Sequence, residues 1–215
     1  PYTEDTFIDE YDIVGARLGI DDNWYYVRVD IFDPQDGSLT LNNAFGVEID
    51  TNLDSKGDVL VLVIDPQSHG ANWDVAGVQV WVDENDDVGA LVAAAPDTGN
   101  SDGYEKLVFD QGIGDDPDLA WARMAPGSAN MVEFAFKNTM LQDLLASSEG
   151  SNAVASLTTL QIYDLFEWWV WAGVDLNADE FDYIDLFAED TFDSHDNSCG
   201  WIYAGQPRPF LLYPS

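Results

Sequence analysis

Short runs of β-branched and aromatic residues recur along most of this chain, each closed by Gly, Pro, Asn or Asp, and that rhythm limits the folds open to it. The run "NWYYVRVDIF" (23–32) sets the pattern. Tyr25, Val27, Val29 and Ile31 fall on one face and Arg28 and Asp30 on the other, the alternation of a half-buried antiparallel strand. Further runs follow at 44–50, 58–65, 77–83, 104–110, 121–125, 130–136 and 167–175, and an earlier one runs through "YDIVGARLGI" (11–20). The run 58–65 is apolar on both faces and therefore belongs at the centre of a sheet. Only "NTMLQDLLASS" (138–148) carries helical spacing, at Met140, Leu141, Leu144 and Leu145.

The expected fold is all-β: a single antiparallel β-sandwich or jelly roll with one short helix inserted near 138–148. Segments 65–76, 94–103 and 111–119 are rich in Gly, Asp, Asn and Pro and read as long connections. No linker stands out, so the reading is one domain over residues 11–204. Residues 1–10 and 205–215 flank it as extensions with apolar content.

Composition narrows the function classes. With 46% hydrophobic residues the chain has material for a core, yet 41 Asp and Glu face 7 Lys and Arg, a formal net charge of −34. Such a chain has no basic stripe to neutralise phosphates or anionic lipid, which argues equally against nucleic acid and acidic membrane surfaces. No stretch of 18 apolar residues predicts a membrane span. The single cysteine, Cys199, leaves no internal disulfide. With no signal peptide visible and Pro1 at the start, the expectation is a processed, secreted protein, extracellular or at the cell surface.

Of the acids, 31 are Asp and 10 are Glu. Short carboxylates suit turns and metal loops, whereas salt adaptation can use either acid. Three segments share one spacing. Asp50, Asn52 and Asp54, with Asp58 behind them, lie between two expected strands. Asp83, Asn85 and Asp87 follow a third strand, and Asp175, Asn177 and Asp179 a fourth. Oxygens at alternate positions of a tight loop can converge on calcium. An EF-hand would need Gly at position 55 and Glu at position 61, where this chain has Ser55 and Val61. The candidate sites are therefore calcium turns between strands. The competing explanation is that Asp and Asn build solvated turns at strand ends. His69 reads as a loop-tip residue and His195 as a surface histidine among acids.

No nucleophile elbow, phosphate loop or zinc spacing occurs, and 41 acids single out no catalytic pair, so the chain is read as a non-enzyme. Trp168, Trp169 and Trp171 could stack on sugar rings if exposed, or fill a sandwich core. "YDIVGARLGIDDNWYYVRVDIFD", "FGVEIDTNLDSKGD", "GVQVWVDENDDVG" and "YEKLVFDQGIGDDPDLAWARM" together resemble secreted bacterial β-sandwich domains of the broad DOMON-like and family 9 carbohydrate-binding-module-like group. The resemblance spans roughly residues 11–185. It implies an extracellular sandwich, often holding calcium and sometimes binding sugars or haem. Haem in that group uses Met and His ligands, and no position here matches them. Two functions follow as expectations. One is a calcium-stabilised structural subunit of a surface assembly or filament, its partners copies of itself joined through terminal strands. The other is a calcium-dependent carbohydrate-binding module, its partner a polysaccharide.

Overall fold

The computed structural model describes residues 12–21, 23–50, 57–85, 88, 96, 103–137, 166–173, 185–186 and 202–204. The strands are β1 (Ile13–Ile20), β2 (Trp24–Ile31), β3 (Ala44–Asp50), β4 (Val59–Ile64), β5 (Val78–Val82) and β6 (Lys106–Asp110). They continue as β7 (Ile113–Gly114), β8 (Ala120–Met124), β9 (Met131–Lys137), β10 (Phe166–Gly173), β11 (Asp185–Leu186) and β12 (Ile202–Ala204). A 3-10 helix, Pro66–His69, lies in the connection after β4. The expected helix at 138–148 and both terminal extensions lie outside the described residues.

Two antiparallel sheets form the fold. The smaller has the order β1-β2-β9-β8, and the larger β11-β10-β3-β4-β5-β6-β7, with β12 also on β10. Alternation explains which side chains meet between them. Tyr25, Val27, Val29 and Ile31 of β2 point inward, as do Val132, Phe134 and Phe136 of β9, against Phe45, Val47 and Ile49 of β3 and Val59, Val61 and Val63 of β4. Tyr25 stacks on Phe136 with ring centroids 5.6 Å apart. Residues of both sheets thus share one core, the arrangement of a β-sandwich. Emptying a site such as Phe134, which is fully buried, costs about 3–5 kcal/mol.

Val59 through Val63 are buried on both faces, because β4 sits between β3 and β5 with its outer face also covered. That outer face carries Leu60, Leu62 and, on β3, Glu48, all 0% exposed. The connection 65–76 does more than join two strands. Met124 N–H donates to Gly70 O at 2.8 Å, and Asp74 and Ala122 exchange backbone hydrogen bonds of 3.0 Å. The segment therefore runs along β8 and ties the edge of the small sheet to the chain entering β5. Its turn back requires Gly77, at φ +66°, where a Cβ would stand 2.4 Å from Ile64 O.

Candidate functional site

The strand register brings acids from three segments to one end of the large sheet. Asp50 closes β3, Asp58 precedes β4 and Asp83 follows β5. Asp58 N–H donates to Ile49 O at 2.8 Å, and Asp83 N–H to Asp58 O at 3.1 Å. Adjacent strands thus deliver these carboxylates to neighbouring positions. Asp50 is 0%, Asp58 7% and Asp83 5% exposed. Glu48 lies two residues back from Asp50 on the same face of β3. Sequence reading missed it, since a lone Glu within an apolar strand looks like a residue on a solvated face. A signal was there, because Glu48 sits in β3 next to a strand apolar on both faces.

Tyr104, just before β6, completes the cluster. Its hydroxyl donates to Glu48 Oε2 at 2.8 Å, and both groups are buried. Burial pushes the Tyr104 phenol well above its ordinary value, and the Glu48, Asp83 and Asp58 carboxylates push the same way. At neutral pH Tyr104 is a permanent neutral donor. Gly57 makes room for it: a Cβ there would fall 1.9 Å from the Tyr104 hydroxyl and 3.0 Å from Glu48 Oε2.

The residues expected to hold calcium divide as follows. Asp50, Asp58, Asp83 and Asn85 are described; Asn52, Asp54, Asp87, Asp175, Asn177 and Asp179 lie outside the described residues. The carboxylate of Asp83 accepts the Asn85 N–H at 3.0 Å through Oδ1 and the Val88 N–H at 3.1 Å through Oδ2. In this segment the Asp83 carboxylate is held by two backbone donors, and Val88 is buried. For the third segment, β10 is antiparallel to β3 and pairs Glu167 with Asp50 but Gly173 with Ala44. The strand leading toward Asp175 therefore ends at the far end of the sheet from Asp50. Among the described residues, no group of three or more His, Cys, Asp or Glu is arranged to hold a metal ion.

The surplus of Asp over Glu has a local cause. Asp33, Asp36, Asp74 and Asp116 each accept the backbone N–H two residues on, at 2.8–3.0 Å. Asp21 accepts those of Asn23 and Trp24, and these bonds hold its carboxyl below the ordinary value. A side chain one methylene longer closes this ring poorly, so strand ends favour Asp. "GDDPD" (114–118) is such a turn, with Asp116 also paired to Lys137 Nζ.

Trp168 is 1% exposed and lies in the inter-sheet core with Val170 and Ala172. It fills the sandwich and offers no face to a sugar. The register pairs Trp169 with Glu48 and Trp171 with Gly46 across β10 and β3. His69 is not a loop tip. It ends the 3-10 helix, is 8% exposed, and its Nδ1 lies 3.2 Å from Ala122 O, because the segment 70–74 folds onto β8. His195 and Cys199 lie outside the described residues. No helix among the described residues is long and apolar enough to cross a membrane.

Comparison with known proteins gives no match to any family model, curated protein or solved structure.

Proposed function

We propose that this chain is a non-catalytic, extracellular structural protein, a β-sandwich subunit of a surface assembly that calcium stabilises. The observation that carries the reading is the burial of Glu48, Asp50, Asp58 and Asp83 around one end of the large sheet. Taking carboxylates out of water is costly unless positive charge or donors accompany them. The chain is poor in cations. Across the whole sequence 41 acids face 7 basic residues. Carboxylate oxygens are the donors calcium prefers. Asp50 and Asp58 would hold the ion together with Asn52 and Asp54 of the intervening loop.

The test compares melting in EGTA, in millimolar calcium, and in sodium chloride of matched ionic strength. Saturating calcium at a hundred times its Kd adds about 2.7 kcal/mol, or about 5–10 °C for a chain of this size. An unchanged curve in EGTA refutes the calcium reading. Equal rescue by sodium chloride makes the acids a matter of salt screening. For assembly, calcium-dependent polymers by light scattering are expected, and they should disappear when residues 1–10 and 205–215 are removed. A glycan array that lights up only with calcium would instead favour the carbohydrate-binding reading, which now rests on Trp169 and Trp171 without Trp168.

A further inference from the structure

The outer face of the small sheet sets charged and aromatic residues in adjacent cross-strand rows. In one, the arginine row, Arg17 of β1 pairs with Arg28 of β2, Arg28 with Glu133 of β9, and Glu133 with Arg123 of β8. In the next, Tyr26 of β2 pairs with Ala135 of β9, and Ala135 with Trp121 of β8. The short side chain of Ala135 leaves room above β9 for Trp73, carried here by the segment that runs along β8. Arg123 Cζ lies 4.1 Å from the centre of the Trp73 ring, and Tyr26 meets that ring with centroids 6.4 Å apart and a 48° tilt. The indole thus reaches from β8 across to β2. Tyr26, Arg28, Trp73, Arg123 and Glu133 line an open concavity of about 400 Å³. Among the described residues the charges around it cancel: Arg17, Arg28 and Arg123 face Asp30, Glu133 and, on the Tyr26 hydroxyl, Asp21. On a chain of net charge −34 this is a neutral patch.

We propose that this concavity binds a neutral sugar ring, its C–H face on Trp73 and Tyr26 and two adjacent hydroxyls on the Arg123–Glu133 pair. That pair is set for a diol. Arg123 Nε donates to Glu133 Oε2 at 2.7 Å, and Nη2 lies 2.7 Å from the same oxygen. Glu133 Oε1 is left to accept and Arg123 Nη1 to donate. One sugar hydroxyl can therefore donate to the carboxylate while its neighbour accepts from the guanidinium. Charge on both protein partners strengthens these bonds, and the ion pair fixes their geometry in advance. The apolar faces of Trp73 and Tyr26 suit the C–H face of a ring. Two other ligand classes fit worse. An anion meets the field of the whole chain with no surplus cation here to offset it. A purely apolar ring would strip water from Arg123 and Glu133 and return no hydrogen bonds. The volume suits one small molecule, and the open side lets a longer chain of sugars run on past it.

The inference is independent of calcium and of assembly, and it concerns the sheet that does not contain Trp169 and Trp171. Its test is a titration of the 15N-labelled chain, followed by the Trp73 indole and Arg123 Nε signals, in calcium and in EGTA well below the melting temperature. Glucose, cellohexaose and maltohexaose are the probes, with sorbitol, cyclohexanol and sodium glucuronate as controls. Saturable shifts with any of the three probes, alike in calcium and EGTA, support the proposal. A hexaose that binds much more tightly than glucose makes the ring one unit of a polysaccharide, and equal affinities make it a free sugar. Trp73→Ala should weaken binding about tenfold and Tyr26→Ala about threefold. Tyr26→Phe keeps the ring and loses only a hydroxyl already held by Asp21, so it should leave binding unchanged. The proposal is overturned if no probe saturates, or if sorbitol or cyclohexanol shifts the same signals equally. Tighter binding of glucuronate than of glucose would make this an anion site and also refute it. It fails too if sugar binding requires calcium, or if it survives Trp73→Ala and Tyr26→Ala undiminished.

Discussion

Tyr104→Phe removes one oxygen and leaves Glu48 at 0% exposure without its phenol donor. The bond is 2.8 Å long and both partners are buried, so solvent does not replace it. A hydrogen bond to a charged group contributes about 1.5–3 kcal/mol, and the expected loss is about 2 kcal/mol. In urea this lowers the midpoint at unchanged slope, and in a thermal scan it lowers Tm by about 4–8 °C. Tyr26→Phe is the control. Its hydroxyl donates to Asp21 at 3.1 Å in an exposed setting, and its loss should stay within about 0.5 kcal/mol. Tyr104→Phe in a Glu48→Gln background should cost less than in the native chain, since the charge that strengthened the bond is gone. The alkaline limb checks the same pair. The folded-state pKa of Tyr104 is raised well above 10.0, so its contribution is complete below pH 10 and is lost as pH rises toward the folded-state value. Stability should therefore fall more steeply above pH 10 in the native chain than in Tyr104→Phe. A cost below about 0.5 kcal/mol at neutral pH, with parallel alkaline limbs, would refute the claim that Tyr104 secures a buried carboxylate.

Two other changes probe the frame around the sites. Gly77→Ala forces a Cβ toward Ile64 O at φ +66° and should cost about 2 kcal/mol or more, read as a drop in urea midpoint. Asp116 is held below the ordinary aspartate value of 3.8, first by its hydrogen bond from Lys137 and also by the Asp118 N–H. Its stabilisation is present above that value and disappears as pH falls through the folded-state pKa. Because the Asp116 side chain is 37% exposed, solvent screens the pair to about 0.5 kcal/mol. Asp116→Asn keeps the turn but should lose that amount at pH 7 and progressively less as pH falls through the folded-state pKa, measured by urea melts across that range.

What the sequence determined by itself is the strand content and the direction of most side chains. Alternation in 23–32 identified Tyr25, Val27, Val29 and Ile31 as inward, and they are buried in β2. The two-sided run 58–65 became the interior strand β4. These properties are local, since a side chain's face follows from its parity and the limits of a strand from its turn residues. Trp168 shows where parity stops. Sequence separated it from Trp169 and Trp171, but only the packing of β10 showed which face met the core. The acidic segments were legible as residues and not as a site. Asp50, Asp58 and Asp83 became neighbours because β3, β4 and β5 are adjacent, and Tyr104 reaches Glu48 across 56 positions. The arginine row is more distant still, uniting Arg17, Arg28, Arg123 and Glu133 through the order β1-β2-β9-β8. Strand order is set by which pairings bury the most apolar surface at once, a property of the whole chain that no window of residues contains. Tertiary structure alone therefore decided that a chain of net charge −34 would bury Glu48, Asp50, Asp58 and Asp83 around one end of one sheet and set Arg17, Arg28, Arg123 and Lys137 on the outer face of the other.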